Sequence, residues 1–368
     1  MSSNSPVRVL MAAGGTAGHT SPMLATAAAL GEMVPDVAIT CLGTPRGLET
    51  TLVPQAGYPL ELVTPIPLPR RPSADLVRLP GRVRDSVRGT LDVLDRVRPD
   101  VVVGFGGYVS VPAYLAGRRR RVPLVVHEGN ALPGLANRLG ARLTPYVATS
   151  FPDTALPGAV LTGLPVRSMI SRLDRASVRA EALAAFGLRP DRPVLLVTGG
   201  SQGARRINTA AAAAASSLLT AGVQVLHVSG AAHAQSVRQA AGSDPAYRVL
   251  PYVDRMDLAY AAADLVLCRA GASTVTEVAT VGLPAAFVPL PIGNGEQGRN
   301  AATVVAAGGA LLAADADVDA AWVTRVVLPL LLDSPRLVEM GRLAVGVLPG
   351  QADRALAALV LRAAGVAR

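Results

Sequence analysis

Four turns in this chain gather glycine, hydroxyl and a few ionisable side chains where an apolar run hands over to a helix-forming stretch. They are Gly14–Gly15–Thr16–Ala17–Gly18–His19, Gly104–Phe105–Gly106–Gly107–Tyr108–Val109–Ser110, Gly199–Gly200–Ser201–Gln202–Gly203–Ala204–Arg205, and Cys268–Arg269–Ala270–Gly271–Ala272–Ser273–Thr274–Val275–Thr276–Glu277. Glycine lets the backbone turn sharply and approach a ligand, and a helix starting there presents N–H groups to an anion. A single such run is ordinary strand-to-helix punctuation. Repetition over both halves of the chain is harder to dismiss. Ser201 adds a hydroxyl donor to the third turn. Glu277 stands where it could accept two hydrogen bonds from a ribose diol, the plainer alternative being a glutamate that stabilises its helix N-terminus. A dinucleotide fingerprint also needs an acidic residue near the end of the second strand. Cys41–Leu42–Gly43–Thr44 supplies none, which places an NAD-dependent dehydrogenase well behind other readings.

The elements that position these turns alternate between short β-branched runs and alanine-rich helical stretches, the pattern of a parallel sheet with covering helices. Strands are expected at Val7–Met11, Ala38–Leu42, Leu60–Val63, Val101–Val103, Leu124–Val126 and Val147–Thr149. The Gly/Pro-bearing run Leu161–Arg167 reads as a linker, and the series restarts at Val194–Val197, Val223–Val228, Arg248–Leu250, Leu265–Cys268, Ala285–Val288 and Ala310–Leu312. Two doubly wound α/β units are therefore expected, 1–164 and 165–350. The helical stretch 351–366 is a candidate to pack back on the first. Ligands of such sheets bind beyond the carboxyl ends of the strands, so a cleft between two facing units is the expected site.

Composition narrows the chemistry. Half of the 368 residues are hydrophobic, which argues against a disordered chain. No apolar run has the length of a membrane span, and the polar segment Met1–Arg8 is unlike a signal peptide, so a cytoplasmic protein is expected. Cys41 and Cys268 lie in different strand-like runs and read as core residues. All 35 basic residues are arginine, so Walker-type, Schiff-base and kinase-type lysines are excluded. Between Arg70 and Arg121 twelve arginines face five aspartates and no glutamate, a basic patch suited to anionic lipid or a polyphosphate. At 3% aromatic content the chain offers few stacking platforms, so nucleic acid is not an expected partner. Around this patch Pro80–Gly81 suggests a loop up to Leu79 and a helix from about Arg82. Leu76, Val77 and Leu79 are candidates for shallow insertion into an anionic membrane.

The glycine turns occur in order with His127–Glu128–Gly129–Asn130, Gly163–Leu164–Pro165–Val166–Arg167 and Gln297–Gly298–Arg299–Asn300–Ala301. Together, over nearly the whole chain, they resemble the MurG family of transferases. Ala17 and Gly129 stand where that family usually has glycine and glutamine, and Glu296 also departs from its usual pattern. The resemblance implies the GT-B architecture, two Rossmann-like domains facing across a cleft, with the acceptor on the first and the donor on the second. It implies an inverting hexosyltransferase of peptidoglycan synthesis, and with it cell-wall biogenesis and cell division. N-acetylglucosamine would pass from UDP-GlcNAc to the lipid-linked MurNAc-pentapeptide at the cytoplasmic face of the membrane, alongside other cell-wall synthesis proteins.

Carried over by position, Thr16, Ala17 and Gly18 would line the site near the transferred sugar and Asn130 would touch the GlcNAc. Arg167 and Ser201 would meet the diphosphate, Val253 the uracil, Ala272, Ser273, Thr274 and Glu277 the diphosphate and ribose, and Gln297 the sugar hydroxyls. His19, at the end of a ligand turn, is the first choice of general base, with His127 and Glu128 as the alternative base or orienting pair. Arginine and helix N–H groups can meet the leaving charge, so neither a cofactor nor an obligatory metal is expected. The nearest metal-type pair, Asp315–Ala316–Asp317, sits in a late polar turn. The alternatives are another UDP-sugar enzyme of the same fold, such as an antibiotic-type glycosyltransferase or a UDP-GlcNAc 2-epimerase, and a non-catalytic nucleotide-sugar-binding subunit.

Overall fold

A computed structural model describes residues 6–15, 17–66, 75–199 and 204–366, with the backbone only at Ala17 and at 75–78. Thr16, Ser201, Leu68, Arg70 and Arg71 lie outside the described residues, as do the side chains of Ala17, Leu76, Val77 and Arg78. The chain forms two compact units, 1–167 with 351–368, and 168–350.

The first unit holds seven parallel strands: β1 (Arg8–Ala12), β2 (Ala38–Gly43), β3 (Leu60–Leu62), β4 (Val101–Gly104), β5 (Leu124–Glu128), β6 (Tyr146–Thr149) and β7 (Ala159–Leu161), in the order β3-β2-β1-β4-β5-β6-β7. Period-2 alternation sorts their side chains between two cores. Val9 and Met11 pack with helix Ala17–Met33 and the terminal helix Ala352–Ala363, whereas Leu10 and Ala12 pack with helices Asp75–Val97 and Ser110–Arg120. The second unit repeats the plan with β8 (Val194–Thr198), β9 (Gln224–Val228), β10 (Tyr247–Leu250), β11 (Leu265–Cys268), β12 (Ala285–Phe287) and β13 (Ala310–Leu312), ordered β10-β9-β8-β11-β12-β13. β8, β9 and β11 are buried at every position, as strands covered on both faces must be, and β8 and β9 are apolar except for Thr198, Gln224 and His227.

The strand order of each sheet reverses within it, between β1 and β4 in one and β8 and β11 in the other. These are the switch points where a crevice opens outside the strand ends. The first two glycine turns leave β1 and β4, which pair Ala12 with Gly104, and the last two leave β8 and β11, which pair Thr198 with Cys268.

Two expectations need correction. The helix expected from about Arg82 runs without a break from Asp75 through Pro80–Gly81 to Val97. Proline removes one ladder hydrogen bond near the start, and burial of Ser86, Val87, Thr90, Val93 and Leu94 over the following turns outweighs that loss. Strand β7 lies where only a connection and the start of the linker were expected. It is a three-residue edge strand with Val160 and Leu161 exposed, so no burial pattern announces it. Cys41 and Cys268 are buried and unpaired, in different units, and burial pushes the Cys41 thiol up to about 12.

Candidate active site

In the first unit the turns after β1 and β4 interlock. Ser110 Oγ accepts from the Gly106 N–H at 3.0 Å and reaches the Ala12 carbonyl at 3.3 Å, and the Phe105 N–H donates to the same carbonyl at 2.9 Å. His19, partly exposed, lies against Gly106 and Gly107. A Cβ at Gly106 would come within 3.3 Å of the imidazole, and Gly107, at φ +75°, has room for hydrogen only, because a Cβ there would stand 2.7 Å from the Gly14 carbonyl. That carbonyl lies 3.3 Å from His19 Nδ1. A carbonyl only accepts, so Nδ1 carries the proton and the lone pair of the neutral ring is on Nε2. Burial lowers the pKa of His19; the negative charge of Glu128, the Gly14 bond and the charge of Glu49 oppose that shift in decreasing order.

His127 and Glu128 occupy β5 differently. His127 is buried, with Nε2 donating to the Gly163 carbonyl at 3.3 Å and to the Ser150 hydroxyl at 3.1 Å, whose own proton goes to the Glu128 carbonyl. Burial pushes its pKa down to about 4. The Glu128 carboxylate accepts from the Asn130 N–H (2.9 Å), the Gly134 N–H (2.9 Å) and Asn137 Nδ2 (3.0 Å), so it braces the loop that carries Asn130. Asn137 gains its orientation from the Tyr114 hydroxyl at 2.8 Å. Asn130 and Arg167 are both partly exposed, and the Arg167 guanidinium has no protein partner among the described residues.

In the second unit helix Ala272–Thr280 starts at Gly271 without a side-chain cap, and its first intrahelical bond is Val275 N–H to the Gly271 carbonyl at 2.9 Å. The N–H groups of Ala272, Ser273 and Thr274 therefore face outward along the helix axis. The buried Ser273 hydroxyl has no protein partner among the described residues. Both features suit an anion seated at this terminus. One turn further Glu277 is partly exposed, with Oε2 accepting from the Tyr260 hydroxyl at 2.7 Å. Gln297 Oε1 accepts from the Leu290 N–H at 2.9 Å, which leaves the amide N–H2 as the group it offers to a hydroxyl. Val253 is buried beside exposed Tyr252.

Asp315, of the late polar turn Asp315–Ala316–Asp317, is ion-paired with Arg269 at 2.6 Å beneath the β11 turn, where Arg269 also donates to the Val288 and Pro289 carbonyls. Sequence patterns missed Tyr260, Asn137 and Glu49 because each acts from an element outside the turn it supports.

Two family models match the chain: the glycosyltransferase family 28 N-terminal domain over residues 9–149, and the glycosyltransferase family 28 C-terminal domain over 194–351. A relative in Nocardioides sp., a UDP-N-acetylglucosamine–N-acetylmuramyl-(pentapeptide) pyrophosphoryl-undecaprenol N-acetylglucosamine transferase, is 63% identical over 357 residues, 96% of this chain and 98% of its own. The crystal structure of Acinetobacter baumannii MurG is 29% identical with a TM-score of 0.77, covering 97% of this chain and all of that one. A UDP-GlcNAc 2-epimerase from Neisseria meningitidis bound to UDP-GlcNAc shares the fold at 15% identity and a TM-score of 0.68, covering 97% and 100%. With both family 28 domains in place and relatives matching end to end, the chain belongs to the MurG family of glycosyltransferases.

Proposed function

We propose that this enzyme transfers N-acetylglucosamine from UDP-GlcNAc to the undecaprenyl-diphospho-MurNAc-pentapeptide acceptor, with inversion at C1. The match along both domains carries this reading, and it is supported by His19 and Glu277, which lie on the helices that follow β1 and β11 at the two switch points. The second unit holds the donor. The N–H groups and hydroxyl at the start of helix Ala272–Thr280 take the diphosphate, Glu277 takes the ribose diol, Gln297 donates to the sugar, and the backbone beside Val253 lies along the uracil. The first unit holds the acceptor, with Thr16, Ala17, Gly18 and Asn130 near the transferred sugar. His19 Nε2 takes the proton of the acceptor hydroxyl as its oxygen bonds to C1. The C1–O bond to UDP breaks in the same step, and UDP leaves with the electron pair. Glu128 braces the loop around Asn130 and His127 is held by Gly163 and Ser150, so neither moves that proton. Arg167, Ser201 and the helix N–H groups meet the leaving charge, so the step needs no metal. Donor competition tests the assignment: UDP-GlcNAc turns over in excess EDTA, and ADP- or GDP-linked GlcNAc does not replace it. Equal use of all three would remove the uridine site from the second unit.

The enzyme works as a peripheral protein at the cytoplasmic face of the membrane. No helix among the described residues is long and apolar enough to cross a bilayer. A cavity of about 370 Å³ between helices Asp75–Val97 and Ser110–Arg120 is lined by Val83, Val87, Leu91 and Leu115 together with exposed Arg84, Arg88 and Arg119. Each arginine near an anionic surface contributes about 1 kcal/mol. Changing these three arginines to serine is therefore expected to abolish salt-sensitive pelleting with anionic vesicles. Equal pelleting of both proteins, indifferent to salt, would contradict attachment through this face.

A further inference from the structure

Glu49 opens helix Glu49–Gln55 and is wholly buried. Its Oε1 accepts from the Thr44 N–H at 3.0 Å and the Thr44 hydroxyl at 2.9 Å, and its Oε2 from the Gly15 N–H at 3.1 Å. The chain clears a seat for this carboxylate. A Cβ at Gly43 would stand 2.6 Å from Glu49 Cγ, and one at Gly47 would fall on the carboxylate itself. Burying an ionisable side chain is costly, and an apolar residue would fill the same space without that cost.

The Gly15 N–H and the Gly14 carbonyl belong to one peptide unit. In a trans peptide they point in opposite directions. On one side this unit donates to Glu49, and on the other it accepts from His19 Nδ1.

We propose that Glu49 is a positioning residue for His19, acting through the Gly14–Gly15 peptide. The inference rests on the reading of His19 as the base. By accepting the Gly15 N–H, the carboxylate fixes the rotation of the peptide, so the Gly14 carbonyl faces Nδ1 and the lone pair stays on Nε2. An N–H donated to an anion also makes the carbonyl at the far end of its peptide a better acceptor. In serine-hydrolase triads a carboxylate orients its histidine directly; here one peptide stands between them. The charge of Glu49 also raises the proton affinity of His19, as does the larger contribution of Glu128. His127, the other titratable group coupled to His19, is held neutral at working pH by its burial.

Glu49→Gln keeps the size and removes the charge. It is expected to lower kcat by about 10- to 100-fold, taking as guide the loss when a metal-bound histidine is deprived of the outer partner that orients it. KM for UDP-GlcNAc should stay unchanged, and the acid limb of kcat/KM should move to lower pH. In a His19→Ala background the same substitution should cost nothing further. A purely structural Glu49 would instead scale activity down equally at every pH and add its loss to that of His19→Ala, which would overturn the proposal. Normal kcat in His19→Ala alone would remove the base, a separate failure. The wild-type protein gives a readout that needs no variant: the Gly15 amide proton resonance should shift in step with the His19 ring as pH falls. A Gly15 resonance indifferent to that titration would also overturn the relay.

Discussion

His19→Ala lowers kcat by about 10²–10⁴-fold, the range expected for loss of a general base, with UDP-GlcNAc binding nearly intact. Three observations support His19 as that base. The Gly14 carbonyl fixes Nδ1 as the protonated nitrogen, so Nε2 presents the lone pair. Burial lowers the pKa, so the ring is neutral at pH 7 without a partner to deprotonate it. The other candidates are engaged elsewhere, His127 with Gly163 and Ser150, and Glu128 with two N–H groups of the following loop and the Asn137 amide. The sign of the pH dependence follows. A base must be unprotonated, and its pKa is lowered from 6.5, so wild-type kcat/KM holds through neutral pH and falls only as pH drops through that lowered value. The residual activity of His19→Ala should lack this limb. Single-turnover rates across pH measure both effects, and a near-normal rate with the limb intact would contradict the assignment.

Glu277→Ala raises KM for UDP-GlcNAc with little change in kcat. Losing a hydrogen bond to a charged group costs roughly 1–3 kcal/mol, or about 5- to 150-fold. The carboxylate is a candidate diol acceptor because Tyr260 holds one of its oxygens at 2.7 Å and so fixes the plane of the group. Tyr260→Phe leaves the charge and removes this one bond, and the expected effect is the same in direction and smaller. Initial rates at varied UDP-GlcNAc and fixed acceptor separate the two parameters. If KM is unmoved in Glu277→Ala, the ribose lies elsewhere.

The fold was legible where burial leaves a periodic mark. Continuous apolar runs such as Val194–Thr198 and Val101–Gly104 announce covered strands, and the glycine turns announce where those strands end. Ala159–Leu161 carries no such mark because an edge strand of three residues buries almost nothing. Pro80–Gly81 misled for a related reason. A local breaker is visible in one dimension, whereas the packing that overrides it, from Ser86 to Leu94, is not.

The candidate site divides the same way. His19 and Glu277 sit inside motifs and could be named from them. Glu49 could not, although an acidic residue after the second strand was sought: it lies six residues beyond Gly43 on the next helix and reaches back to Gly15. Its only trace in the sequence is the pair Gly43 and Gly47, whose missing side chains make its seat. Asn137 and Tyr260 are likewise invisible until the chain is folded, because their partners come from other elements.

Transfer itself is the most direct test. Purified enzyme is incubated with radiolabelled UDP-GlcNAc and undecaprenyl-diphospho-MurNAc-pentapeptide presented in anionic vesicles, and label in the extracted lipid is followed against UDP released. Label is expected to enter the lipid one-for-one with UDP, in a β linkage, and only when the acceptor is present. UDP-GlcNAc that is bound or epimerised while the lipid fraction stays unlabelled would contradict it.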